Sequence, residues 1–167
     1  MRTEVFVGYN PTCAILQKNG EEMKEVSPQE AHELMKQDPD YIYLDVRSVM
    51  EFEAGHPEGA INIPLMHFAP GQGMTPNEDF PAVVEANLPK DAKLVVGCKT
   101  GGRSARACDI LGQMGYTNAA NVRAGFMGAM DNSGRVVEPG WSMLNLPVST
   151  EAGEDARYES LAAKAKK

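Results

Sequence analysis

A chain of 167 residues is long enough for one domain with a sizeable core and short for two. Apolar residues make up 43% and charged residues 23%, the balance of an ordinary soluble globular protein, and no window approaches the roughly eighteen apolar residues of a membrane span. The net charge of −7 weighs against nucleic acid or an anionic membrane as partner, since both select a basic face.

The cysteines Cys13, Cys98 and Cys108 form no CxxC pair and no even-numbered framework, which fits a reducing, cytoplasmic setting without structural zinc. His32, His56 and His67 lack metal-ligand spacing, and neither a metal nor a cofactor is expected. Arg2, Glu4, Asn10, Pro11 and Lys18 interrupt the first residues, so a secretory leader is not expected either. Residues 1–25 read as an extension. Within it, Glu4 to Tyr9 suits a short strand, and Ala14–Lys18 and Glu21–Glu25 flank an Asn19-Gly20 pair with hairpin chemistry. Cys13 reads as an incidental thiol.

Ser27-Pro28-Gln29-Glu30 is a capping box with proline at the first helical position, opening a helix to about Lys36 that buries Ala31, Leu34 and Met35. Asp38-Pro39-Asp40 breaks it ahead of a strand, Tyr41 to Val46. Ser48-Val49-Met50-Glu51 repeats the capping pattern for a short helix ending at Gly55. His56 then falls in a turn, as a hydrogen-bonding brace in preference to a general base, before a strand from Ala60 to Ile63. The segment from Pro64 to Pro76 reads as a flexible loop. In it Phe68 and nearby methionines either line the mouth of a site or anchor a solvated connector. A helix follows, starting at Thr75 or at Pro81, and stops before Pro89.

The most informative stretch is Lys93 to Gly115. Leu94-Val95-Val96 suits a buried parallel strand. A loop, Cys98-Lys99-Thr100-Gly101-Gly102-Arg103, leads into a helix near Ser104 with Ala107, Ile110, Leu111 and Met114 on one face, closed by Gly115. A thiol is thus set between a strand end and a helix N-terminus, where open α/β sheets bind ligands. The two glycines allow successive N–H groups to curl into a concave cradle, which with the helix dipole favours an anion and hence the thiolate of Cys98. Cys108, one turn into the helix beside its apolar stripe, reads as a buried inert thiol in preference to a resolving one. A strand near Ala119 to Val122 and a helical turn around Phe126 to Met130 follow. Asp131-Asn132-Ser133-Gly134 signals a turn, and Arg135 to Gly140 reads as an insertion before Trp141. In the tail, residues 149–167, Tyr158, Leu161, Ala162 and Ala165 form a helical stripe that either docks on the domain or frays.

Three ordered blocks resemble the rhodanese-like sulfurtransferase family. They are Cys98-Lys-Thr-Gly-Gly-Arg103-Ser104 after a valine-rich strand; Asp45-Val46-Arg47 followed by Gly55-His56-Pro57-Glu58-Gly59-Ala60-Ile61-Asn62-Ile63-Pro64; and Asn121-Val122-Arg123-Ala124-Gly125-Phe126, with Ala124 where a second glycine is common. The resemblance runs from about Val26 to Phe126. It implies a single α/β rhodanese-like domain over 26–148, with an insertion near 131–140 and a mainly parallel sheet flanked by helices on both faces. It also implies sulfur transfer through a Cys98 persulfide. A small anionic donor such as thiosulfate would supply the sulfur, with Lys99 attracting it, and cyanide or a small or protein thiol would accept it. Lys99 to Arg103 would form the binding loop, with Arg103 facing the ligand or turned back to a carboxylate. Asp45 and Arg47 would brace the wall in preference to touching substrate, and Ser104 would support the loop. Rival readings are oxyanion chemistry, as an arsenate reductase or phosphatase, and a sulfur-carrier or regulatory domain. Cysteine phosphatases of related fold place five residues between cysteine and arginine, whereas this loop has four: Lys99, Thr100, Gly101 and Gly102.

Overall fold

The computed structural model describes residues 13–18 and 21–166, with side chains from Lys24. The strand expected over Glu4 to Tyr9, the Asn19-Gly20 turn and the Cys13 side chain lie outside the described residues. In chain order the principal elements are β1 (Cys13–Lys18), β2 (Glu21–Val26), α1 (Pro28–Gln37), β3 (Tyr41–Asp45), α2 (Val49–Ala54) and β4 (Ile61–Asn62). They continue with α3 (Phe80–Asn87), β5 (Lys93–Gly97), α4 (Gly102–Gln113), β6 (Ala119–Val122) and α5 (Tyr158–Ala165). Six strands form one sheet in the order β1-β2-β6-β5-β3-β4. All neighbours are parallel except the β1–β2 hairpin, whose register pairs Lys18 with Glu21. The expected α/β class is the one observed, and the N-terminal hairpin is the sheet's outer edge, joined through β2 to β6.

Side chains of the central strand β5 are buried on both faces of the sheet in alternation. Leu94 and Val96 enter a cluster with Leu44, Val83, Val84, Leu111 and Leu161, while Val95 enters a second with Tyr43, Phe52, Val122 and Trp141. Helices α3, α4 and α5 therefore cover one face and α1 and α2 the other, which is why the strands read as apolar runs. The tail docks, with Leu161 buried and Tyr158, Ala162 and Ala165 packed against the first cluster. Among the described residues no helix is long and apolar enough to cross a membrane.

Both expected N-caps are present. The Ser27 side chain accepts from the Glu30 N–H, and Ser48 and Glu51 complete a reciprocal capping box. Three expectations are corrected. Residues 66–76 are not a flexible loop but an antiparallel hairpin, Met66–Ala69 with Gly73–Pro76; Gly71 and Gly73 take left-handed φ near its turn. The helix after it starts at neither Thr75 nor Pro81 but at Phe80, because Asn77 Oδ1 accepts the Asp79 N–H and turns the chain. The helical turn expected at Phe126 to Met130 is a run of turns. It ends in a short strand, Ala129–Met130, paired with Val136–Glu138 in a small hairpin. The base of that hairpin is pinched: a side chain on Gly140 would strike the Gly128 nitrogen and approach the Phe126 carbonyl oxygen to 2.6 Å.

Gly97 ends β5 beneath the Tyr43 ring, and an added Cβ would overlap the Tyr43 hydroxyl. Tyr43 is buried edge-on against Trp141 and cannot swing away freely. Gly97→Ala should therefore lower stability by about 1–3 kcal/mol, the usual range for overpacking a core. A urea midpoint matching wild type would show that Tyr43 yields without cost.

Candidate active site

Cys98 directly follows β5, and its sulfur sits at the head of α4. Sγ accepts the Gly101 N–H at 3.1 Å and lies 3.3 Å from Ser104 Oγ. Gly101 adopts φ of +105° as the residue before the helix, so helix α4 begins at Gly102, two residues earlier than expected. The free loop is accordingly only Cys98 to Gly101, and Gly102 and Arg103 belong to the first turn. Amide groups of a first turn have no intrahelical acceptor. With the dipole of a 12-residue helix behind them they make this end a place for negative charge.

The loop is held by backbone. The Cys98 and Lys99 carbonyls accept from the Phe126 and Met127 N–H groups, each at 2.8 Å. A side chain on Gly101 would collide with the Arg123 carbonyl, and one on Gly125 would come within 2.6 and 2.7 Å of the Cys98 and Lys99 oxygens. The loop and the turn after β6 therefore touch main chain to main chain, and glycine at both positions is a steric requirement. Lys99 and Thr100 project outward and are exposed, whereas Cys98 is only 1% exposed.

Arg103 turns back. Its guanidinium forms a two-pronged pair with Glu51, at 2.8 and 2.9 Å, while Glu51 Oε2 also accepts from the Ser48 N–H and hydroxyl. Of the two roles open to Arg103 in the sequence, bracing through a carboxylate is the one observed. Asp45 and Arg47 form a buried pair in which Nε reaches both carboxylate oxygens, at 3.0 and 3.1 Å, and the second guanidinium nitrogen reaches Oδ2 at 2.7 Å. Arg47 also donates to the Gly55 carbonyl and lies 4.4 Å from the centre of the Phe126 ring. These two residues are the wall under the turn that carries the loop. His56 has both ring nitrogens against carbonyls, Phe52 at 2.7 Å and Glu151 at 3.1 Å, and its ring stacks on Phe52, which leaves no nitrogen for proton transfer at Cys98.

Two functional neighbours escaped the sequence reading. Asn121 on β6 is buried, and its Oδ1 lies 2.6 Å from Ser104 Oγ. The Ser104 hydroxyl has one proton and three acceptors around it: Asn121 Oδ1, the Gly101 carbonyl at 3.2 Å, and Cys98 Sγ. It can turn toward the sulfur when that becomes anionic. The second is Glu51, legible as a cap but not as the partner of an arginine 52 residues away. A polar residue in an otherwise apolar strand was the available signal for Asn121. For Glu51 there was none. Burial first, then the charges of Asp109, Glu25 and Cys98, push the Cys108 thiol up to about 12, so it is inert at neutral pH.

Burial alone would push the Glu51 carboxyl up, but the Arg103 bond and the Ser48 donors together bring it from the ordinary 4.5 down to about 2. A carboxyl lowered on folding stabilises the protein fully above its unfolded pKa and loses that contribution as pH falls through the folded value. Glu51→Gln should therefore be less stable than wild type at pH 7, with the two converging between about pH 4.5 and 2. A gap in urea midpoint that stays constant across that window would refute the pairing.

The sequence matches the family model described as Rhodanese-like domain over residues 27–131. It is 43% identical over 89 residues to Protein HIGH ARSENIC CONTENT 1, mitochondrial, of Arabidopsis thaliana, covering 53% of this chain and 52% of that one. It is 38% identical over 101 residues to Thiosulfate sulfurtransferase 16, chloroplastic, of the same plant, covering 60% of this chain and 82% of that one. The chain thus spans about half the length of some curated relatives and most of others. Among solved structures, Rv0390 from M. tuberculosis superposes with a TM-score of 0.64 at 26% identity, over 76% of this chain and 97% of that one. With more than half of the chain inside the matched segment, and the cysteine loop within it, this protein belongs to the rhodanese-like, sulfurtransferase-type family.

Proposed function

We propose that the protein moves a sulfane sulfur from thiosulfate, or a similar small anionic donor, to cyanide or a thiol through a persulfide on Cys98. The observation that carries this reading is the sulfur at the head of α4, with the Gly101 N–H already on it and the Ser104 hydroxyl beside it. The Cys98 thiolate attacks the outer sulfur of thiosulfate. The donor's S–S bond breaks, its electron pair leaves with sulfite, and a new S–S bond forms on Cys98. The terminal persulfide sulfur carries the negative charge, which the amide groups at the start of α4 and the Ser104 hydroxyl stabilise much as an oxyanion hole does. Attack by cyanide or a thiolate on that outer sulfur yields thiocyanate or a new persulfide and returns the Cys98 thiolate. Lys99 is the exposed cation of the loop, since Arg103 and Arg47 are held by carboxylates. It would draw the dianionic end of the donor against the chain's net charge of −7. The near-complete enclosure of Cys98 favours donors that present a terminal sulfur on a slim stem.

A second reading, reduction of an oxyanion such as arsenate, draws on the 43%-identical relative named for arsenic content. The two separate in one experiment. Intact-mass spectrometry after incubation with thiosulfate should show a gain of one sulfur atom in wild type, none in Cys98→Ala, and its removal by cyanide. No gain from thiosulfate, mercaptopyruvate or a persulfide donor would reject sulfur transfer and turn attention to arsenate.

Ser104→Ala removes a donor to the charged sulfur and should slow persulfide loading by about tenfold, the scale of one such hydrogen bond. Loading at the wild-type rate in stopped-flow would show that the hydroxyl only props the loop against Asn121.

A further inference from the structure

Asn121 reaches the thiol only through Ser104. It sits on β6 opposite Glu25 of β2 in the parallel register and is 2% exposed. Its neighbours fix which way the carboxamide points. One end lies 3.5 Å from Glu25 Oε1 and 3.5 Å from the Gly101 carbonyl oxygen, a carboxylate and a carbonyl, so that end is the NH2 group. Oδ1 is therefore the atom 2.6 Å from Ser104 Oγ, and among the described residues the Ser104 hydroxyl is its only donor.

That hydroxyl has one proton to give. The Gly101 carbonyl already accepts the Ala105 N–H at 3.1 Å, so the proton goes to Asn121 or to the sulfur 3.3 Å away. At 2.6 Å the Asn121 bond is at the short end for O–H···O. While Cys98 is a thiol, the Ser104 proton lies on Asn121 and the lone pairs of Oγ are free for the sulfur. A chain S–H···Oγ–H···Oδ1 can then run, and bonds in such a chain strengthen one another. Once Cys98 is a thiolate, the hydroxyl turns to the sulfur and Asn121 Oδ1 is left buried without its donor, which costs free energy. Asn121 and the thiolate thus compete for one proton.

We propose that Asn121 is a positioning residue that draws the Ser104 hydroxyl off the sulfur and so opposes the thiolate that the head of α4 favours. Such opposition preserves reactivity, because a thiolate held too firmly is a weaker nucleophile. The inference rests on Cys98 as the nucleophile, as the sulfur-transfer reading does, and it acts through the Ser104 hydroxyl alone.

The test is a pH titration of the Cys98 ¹³Cβ signal in full-length protein labelled with ¹³C-cysteine, the signal being identified by its loss in Cys98→Ala. Asn121→Leu keeps the branching of the side chain and removes the acceptor. It should lower the midpoint of the titration by about half to one pH unit, the scale of one hydrogen bond to a charged group. In the Ser104→Ala background there is no hydroxyl to compete for, and the same change at Asn121 should leave the midpoint where it was. The other titratable groups around Cys98 are Tyr43, Cys108, Lys99 and Glu25, with Arg47, Arg103 and Arg123 and their carboxylates. All are common to the four proteins compared, so their effects cancel in the cycle. Asn121→Ala repeats the comparison if leucine disrupts the strand. An unmoved or raised midpoint on loss of the Asn121 acceptor would overturn the proposal. A shift of equal size with and without the hydroxyl would also overturn it, since that shift would come from packing. The titration uses no sulfur donor, so its outcome is separate from the persulfide mass gain that judges sulfur transfer.

Discussion

The whole site rests on how closely two stretches of main chain approach one another. The cysteine loop and the turn after β6 meet with no side chains between them: Gly101 lies on the Arg123 carbonyl, Gly125 lies under the Cys98 and Lys99 carbonyls, and two N–H···O bonds rivet the pair. That contact fixes where Cys98 stands relative to the start of α4, and so decides that the Gly101 amide meets the sulfur. Everything else in the neighbourhood supports one side of the contact or the other. Arg47 and Asp45 lie under the turn through Phe126, and Glu51 steadies the first turn of α4 through Arg103. An anion-binding cradle made of amides needs such rigidity, because its strength comes from dipoles that are already oriented.

Charge is distributed with the same economy. The chain carries a net charge of −7, and beside the loop Arg47, Arg103 and Arg123 are each committed to a carboxylate. Ion pairs with this degree of burial act as struts more than as sources of field, since each guanidinium is cancelled at close range. What the loop itself presents to solvent is therefore its backbone groups and the exposed Lys99.

Much of this was legible in the sequence because the chemistry is local. The Val-rich strand, the Cys98 loop and the Ser27 and Ser48 caps are each written in a few consecutive residues, and the sheet class follows from apolar runs that must be covered on both faces. What was not legible arises from distant parts of the chain meeting. Asn62 and Asn121 are single polar letters in apolar strands, and their roles exist only because Arg47 and Ser104 lie beside them. The hairpin over 66–76 escaped because its strands are only four residues each and carry little alternation, and Pro70 and Gly71 between them read as loop. The early start of α4 escaped because Gly102 is a poor helix former by propensity, while the left-handed Gly101 and the contact with Arg123 impose the turn regardless.

The pinch between Gly128 and Gly140 separates the fortunes of the hairpin Ala129–Glu138 from those of the site. The hairpin between them is tied off at its neck, so residues added at its tip, around Asn132 to Gly134, lengthen a closed loop without tugging on the chain that positions Cys98. The entropic penalty of such lengthening grows only slowly with size. This part of the surface is where a fluorophore or an affinity handle could be spliced in without disturbing the thiol.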